Sequence, residues 1–326
     1  MSRGRAMRRS AVMFVALALI TGGCSASPSA SSPLSAALAA VPADAVEISF
    51  TDWSHVDDGD LAAAVRAGLA DDTLTRSAVA PQAAQWEEVF GFSPQDLAWE
   101  AGSLTDSGSS LAVGWSSSLG PDRITDALEA AGYERDGERW RLGEDAPLPA
   151  ALAASMTVAE VDERSRTLRA ASDDTALEGG LSARRAVRDV VAAVGEVPAA
   201  MLLQRGDRAC ATAGVSGRGG QVAEQGEAAA ERAGGLAEPT WAARAVGEGT
   251  FTVALGFSSP GLATGQARVR ERLTTGPFIG RPGAVTDVVT DADVTVEENV
   301  TRLSFTRRDG GPSLMDSTGP ILFAGC

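Results

Sequence analysis

From residue 41 onward the chain sets out apolar and polar positions in two rhythms, and the order of those rhythms repeats. Pro-led apolar runs at Val41 (VPADAVEISF) and Val197 (VPAAMLLQ) predict a strand each. Helical spacing follows, over residues 60–69 and 82–90 in the first case and 221–233 in the second. Next come two period-two runs about a turn, WEAGSLTDSGSSLAVGWSS from Trp99 and WAARAVGEGTFTVALGFSS from Trp241. Each predicts a β-hairpin, with turn residues at 106–108 and 247–249. A helix is expected after each hairpin. Pro121 starts the first, with Ile124, Leu128 and Ala131 on one face, and Leu262, Val269 and Leu273 share a face in the second. AEVDERSRTLRAA from Ala159 and TVEENVTRLSF from Thr295 read as closing hairpins.

The two central hairpins align without a gap at an offset of 142 residues, which pairs Trp99 with Trp241, Gly114 with Gly256 and Trp115 with Phe257. Matching ends of this kind point to duplication. The expected fold is therefore α+β, with two related β-α-β-β-α-β units in the order of a ferredoxin-like split βαβ and antiparallel sheets. The units are expected over 41–171 and 197–326. Residues 172–196 form a connecting helix between them, with Asp173 and Asp174 at its start and Gly195 at its end.

The first 40 residues follow neither rhythm. Arg3, Arg5, Arg8 and Arg9 precede ten unbroken apolar residues, Ala11 to Ile20, and then Thr21-Gly22-Gly23-Cys24. A basic start, a short apolar stretch and small residues at the cut make a secretory signal over 1–23. Ten residues rise only about 15 Å as a helix, short of a hydrocarbon core of roughly 30 Å. Gly22, Gly23 and Cys24 resemble the lipobox of bacterial lipoproteins, although Thr21 stands where that family usually places Leu. The resemblance implies that Cys24 becomes the mature N-terminus and carries a diacylglycerol, with palmitate-type acyl chains. That would hold the chain on the extracytoplasmic face of the cell membrane. The alternative is an ordinary secretory signal cut after Ala26. Residues 24–40 are expected to be a lipid-anchored flexible tether, because SASPSASSPLS at 25–35 has no charge and little to bury.

Composition narrows the partners. All 28 basic residues are Arg, against 43 acids, for a net charge of −15. Loss of residues 1–23 removes four Arg and no acid, and the charge becomes −19. Such a surface disfavours nucleic acid and anionic lipid. The membrane would then be met only through the acyl chains, and no other cofactor is implied. With Cys24 acylated, Cys210 and Cys326 remain as an even pair in an oxidising compartment and are expected to form a disulfide.

Candidate chemistry is sparse. The single histidine, His55, lies among Asp52, Asp57, Asp58 and Asp60. Asp52, Asp57 or Asp60 could orient it as a base in an envelope hydrolase, but the spacing is not that of a calcium loop and the acids suit a helix cap. GWSSSLG around Ser116 lacks the glycine a nucleophile elbow needs after the serine. GVSGRGG from Gly214 has no lysine for a phosphate loop and reads as a mobile loop. Glu87 and Glu88 read as a solvated helix face, Asn299-Val300-Thr301 as an unused sequon, and the six tryptophans as core. No catalytic or metal-ligating residue is assigned. The expected role is binding or interaction in the cell envelope, with the partner open.

Overall fold

The computed structural model describes residues 32–326, apart from 178, 196–197, 216–217, 309, 311 and 317–318. The signal peptide, Cys24 and most of the expected tether lie outside the described residues. The Ser32 hydroxyl accepts the Ser35 N–H at 3.2 Å and Pro33 takes a first-turn position, so α1 (Pro33–Ala40) begins at once. Leu34, Ala37 and Leu38, spaced i, i+3, i+4, are buried. Residues 33–40, expected to belong to the tether, are therefore a packed helix. Its Ser-Ala-Pro composition hid an apolar stripe three residues wide.

The first half continues with β1 (Glu47–Asp52), a 3-10 turn over Trp53–His55, α2 (Leu61–Ala70) and α3 (Ala83–Phe90). Asp60 caps α2 by accepting the Ala63 N–H at 2.7 Å, and Gly91, at φ 68°, ends α3. The hairpin β2 (Leu97–Leu104) and β3 (Ser109–Trp115) follows, then α4 (Pro121–Ala130), β4 (Tyr133–Asp136), β5 (Arg139–Leu142), α5 (Ala150–Ala153), β6 (Val158–Asp162) and β7 (Thr167–Ala171). The expected connecting helix is only partly helical: two 3-10 turns, Asp174–Leu177 and Leu181–Ala183, precede α6 (Arg185–Val194). Gly180, at φ 125°, breaks the run between them. The second half comprises β8 (Ala200–Arg205), α7 (Gly206–Ala213), α8 (Gly220–Ala233), β9 (Trp241–Gly247), β10 (Thr250–Gly256), α9 (Pro260–Glu271), β11 (Val289–Glu297) and β12 (Val300–Arg307). A coil then runs to Cys326.

The strands form one 12-stranded sheet in the order β11-β12-β10-β9-β8-β1-β2-β3-β7-β6-β5-β4. The two halves repeat one frame, β1-β2-β3-β7-β6 against β8-β9-β10-β12-β11. They join where β1 pairs β8, from Glu47 opposite Gln204 to Thr51 opposite Ala200. The fold class is thus α+β with a large antiparallel sheet. The ferredoxin-like order is not followed. A split βαβ lays two parallel strands side by side, whereas each central neighbour here, β1 with β2 and β8 with β9 included, is antiparallel. Element order alone could not separate the two, because both give the same alternation of helix and strand.

The glycines of the repeated Trp–Gly pairs are each crowded, though by different neighbours. Trp99 lies opposite Gly114 and Trp241 opposite Gly256 in the two hairpins. A Cβ on Gly114 would stand 2.2 Å from Trp99 Nε1, and one on Gly256 would stand 2.9 Å from a Val190 methyl. Only glycine leaves room there.

Alternation along the strands sorts the layers. Ile48, Phe50, Trp99, Met201 and Trp241 face α1 and α6 in a core that spans both halves. On the opposite face each half builds its own lobe, one around Trp53, Trp86, Trp115 and Trp140, the other around Phe251, Phe257, Phe305 and Phe323. All six tryptophans are buried. In α4, Ile124, Leu128 and Ala131 are inside, as the spacing predicts. In α9, Val269 is buried and Leu273 packs against the core as the spacing predicts, but Ala263, Gln266, Ala267 and Arg270 complete the inward face and Leu262 is 36% exposed. Ser259 caps α9 at the Leu262 N–H, which fixes the start of the helix and turns Leu262 outward. Arg270 is fully buried and donates to the carbonyls of Phe323 (3.0 Å), Gly325 (2.8 Å) and Ala237 (3.0 Å). Burial pushes its guanidinium down to about 9. The Cys210–Cys326 disulfide, Cα atoms 4.8 Å apart, fastens the same coil to α7.

The sheet's outer strands carry charge. β4 exposes Glu134, Arg135 and Asp136, and β11 exposes Asp291, Asp293 and Glu297 around an irregular register between Thr290 and Asp293.

Candidate functional site

At the end of β1 the Asp52 N–H donates to Ala199 O at 2.8 Å, which ties the first half to the start of β8. Asp52 Oδ1 accepts from the Ser54 N–H (3.0 Å) and Oγ (2.6 Å) and so caps the 3-10 turn. That turn carries His55 outward, with its side chain 46% exposed and Nε2 4.0 Å from Asp52 Oδ2.

Facing it, α2 ends in Asp71 and Asp72, the latter in the left-handed region at φ 70°. Asp71 Oδ1 accepts from the Thr73 N–H (3.0 Å) and Oγ1 (2.6 Å). Arg307, the last residue of β12, donates to Asp71 O and lies 3.4 Å from Asp72 Oδ2. The buried Asp72 carboxylate also accepts the Leu314 N–H at 2.9 Å. Loop 71–72 of one half is thereby stitched to the strand end and coil of the other.

Between these walls lies a cavity of about 530 Å³, bounded by His55, Asp71, Thr73, Ala199, Glu248 and Arg308 among others. Its size is that of a small-molecule site, and junctions between structural units are where such sites form. Glu248, on the β9–β10 turn, and Arg308, just past β12, are exposed, and neither side chain has a partner among the described residues. The cavity thus presents one unengaged carboxylate, one unengaged guanidinium and an imidazole.

Of the residues singled out in the sequence, His55 lines this cavity and Asp52 lies buried behind it. Asp60 instead caps α2, and Asp57 is exposed, its carbonyl accepting from Gln95 Nε2 at 2.6 Å. Ser116 Oγ pairs with Ser118 Oγ at 2.6 Å in the turn before α4. Glu87 and Glu88 face solvent on α3. Asn299 Nδ2 donates to Phe257 O at 3.0 Å and Thr301 Oγ1 to Ala263 O at 2.8 Å, so the sequon serves packing. The GVSGRGG segment falls partly outside the described residues. Among the described residues no cluster of His, Cys, Asp or Glu is placed to hold a metal, and no helix is long and apolar enough to cross a membrane.

Asp71, Asp72, Glu248, Arg307 and Arg308 were not singled out. Each follows the end of a predicted element, and only the folded sheet gathers them. Elsewhere the buried charges are engaged. Glu100 accepts from Trp53 Nε1 (3.2 Å) and the Ala78 N–H (2.9 Å), and burial raises its carboxyl above the usual range. Glu47 is held by Arg76 Nη2 (2.8 Å) and Gln204 Nε2 (2.8 Å). Buried Arg244 donates to Leu314 O (2.8 Å) and Asp316 O (3.1 Å), and desolvation pushes it down to about 10. No protein-family model, no curated protein and no solved structure matches the chain.

Proposed function

We propose that the chain is an exported bacterial lipoprotein whose folded body binds a small polar molecule in the cavity between its two halves. The observation that carries the binding reading is the cavity itself, about 530 Å³, with unengaged charges at its wall. The anchoring reading rests on the leader and on Gly22-Gly23-Cys24. In this reading Cys24 bears the diacylglycerol and acyl chains, and the body stands on the extracytoplasmic face of the cell membrane. The acyl modification is the only non-protein group it calls for. The two halves are taken as products of duplication, in keeping with their repeated strand order.

Thermal-shift screening of the full chain against a library of polar metabolites tests the binding reading. His55→Trp, which fills the cavity from its rim, should abolish any shift the wild type shows. A ligand that stabilises both proteins alike would remove the cavity as the site. Mass spectrometry of the native N-terminus tests the anchor: an unmodified peptide beginning after Cys24 would exclude it.

A second reading, an envelope hydrolase, is favoured by one observation: Asp52 stands 4.0 Å behind a His55 that opens on the cavity. Under that reading His55→Ala and Asp52→Asn each lose a hydrolytic activity that the wild type shows in a substrate panel. Under the binding reading no such activity is found.

A further inference from the structure

The cavity has a counterpart within the same molecule, at the opposite end of the sheet. Glu47 lies opposite Leu104 and Ala200 opposite Val246, and the 142-residue offset makes Leu104 and Val246 equivalent. Asp52 therefore corresponds to Arg205, and Ala199 to Val46. The backbone agrees: Asp52 N–H donates to Ala199 O and Arg205 N–H to Val46 O, both at 2.8 Å. By the same offset Glu248, on the β9–β10 turn, corresponds to Asp106 on the β2–β3 turn.

At the first turn the charges are satisfied within the chain. Arg205 Nη1 stands 3.7 Å from Asp106 Oδ2, while Arg205 Nε holds Asp207 Oδ1 at 2.7 Å. A guanidinium thus fills the space between the turn and the strand end. At the second turn the equivalent of that arginine is Asp52, an acid already occupied by Ser54 and His55. Glu248 has lost the cation its counterpart possesses. Nor can Arg307 supply it, because Asp71 O and Asp72 hold that side chain. On the same cavity wall Arg308 offers a cation with no carboxylate partner among the described residues.

We propose that the cavity recognises a zwitterion of the amino-acid or short-peptide class. Its ammonium is set against Glu248, where the first half places Arg205, and its carboxylate against Arg308. This deepens the binding reading and rests on it. An anion without a positive group would meet Glu248 and Asp71 on a protein of net charge −15. A cation without a carboxylate would leave Arg308 uncompensated. Charge of both signs matches both walls, and it is the mismatched partners that such a wall rejects.

The test is calorimetric titration of the full chain with a panel of common amino acids and their di- and tripeptides. Each is also supplied N-acetylated and as the C-terminal amide, with inorganic phosphate as a single-sign control. The expected result is binding of one or more zwitterions, weakened about tenfold when either end is blocked. Glu248→Gln should cause a similar loss and make N-acetylation nearly silent. Arg308→Gln should do the same for amidation. Both residues are exposed, so neither change threatens folding. If blocked probes bind as well as their parents, or if the cavity binds phosphate or another library ligand but no zwitterion, the zwitterion proposal falls while the binding reading stands. If no ligand of any kind binds, both fall.

Discussion

The two lobes share a strand frame yet are closed in different ways. The first is filled by large indoles, Trp53, Trp86, Trp115 and Trp140, and is widened by the hairpin β4–β5 from its own chain. Trp86 and Phe90 pack with ring centroids 4.5 Å apart, their planes tilted by 47°. The second lobe uses phenyl rings, with Phe305 and Phe323 centroids 5.2 Å apart. It is covered by a coil whose end must be fastened, by Arg270 to its carbonyls and by Cys326 to Cys210. Indoles bury more area per residue than phenyl rings, and a local hairpin closes with little loop entropy. A lobe covered by a long coil has neither advantage. The disulfide and the buried arginine sit where that deficit falls.

Three experiments bear on this contrast. Cys210→Ser should have the largest effect, up to about 4–5 kcal/mol in the chain-entropy model for so long a loop. Urea unfolding gives the magnitude, and hydrogen exchange shows where it falls. The amides of Val215, Ile321 and Ala324, bonded within the fastened coil or to it, should lose protection first. Equal loss in the tryptophan lobe would dissolve the contrast.

Next, Gly114→Ala should cost about 1–3 kcal/mol by overpacking, because the new methyl meets the rigid Trp99 indole. Gly256→Ala, which meets a Val190 methyl at 2.9 Å, should cost less. Chemical denaturation of the two variants ranks them, and a reversed order would show that the hairpins differ in more than their sequences.

The smallest effect is a slope. Burial raises the Glu100 carboxyl, so the folded state holds that proton more tightly than the unfolded chain. Its contribution is full below the ordinary glutamate range and is lost as pH rises through the raised value. Glu100→Gln should therefore flatten the decline in stability above pH 4.5, read as Tm against pH. An unchanged slope would place the titration elsewhere in the tryptophan lobe.

Much of the frame was legible because the repeat is written in residues that physics constrains. Repeated Trp and Gly positions are visible in a linear sequence, and so are the Pro-led strands and the Asp60 cap. The topology was not legible, since helix–strand alternation says nothing of which strands become neighbours. The β4–β5 hairpin escaped notice because Glu134, Arg135 and Asp136 mask its alternation. At the site, only Asp52 and His55 were visible, through the rarity of histidine. Glu248 and Arg308 are ordinary charged residues at strand ends. What distinguishes them is a missing partner, which becomes apparent only when Asp106 and Arg205 are seen paired at the other end of the sheet.

Both rims of the sheet carry exposed charge, Glu134, Arg135 and Asp136 on one side and the acids Asp291, Asp293 and Glu297 on the other. An antiparallel sheet can grow strand by strand whenever one particle's rim accepts another's. An encounter between two β11 rims brings carboxylates together, and the kink near Asp291 spoils the match of hydrogen bonds. Polymerisation through β11 is thus opposed at its first step. The charged, irregular β11 rim is a poor template for a second copy of the same strand.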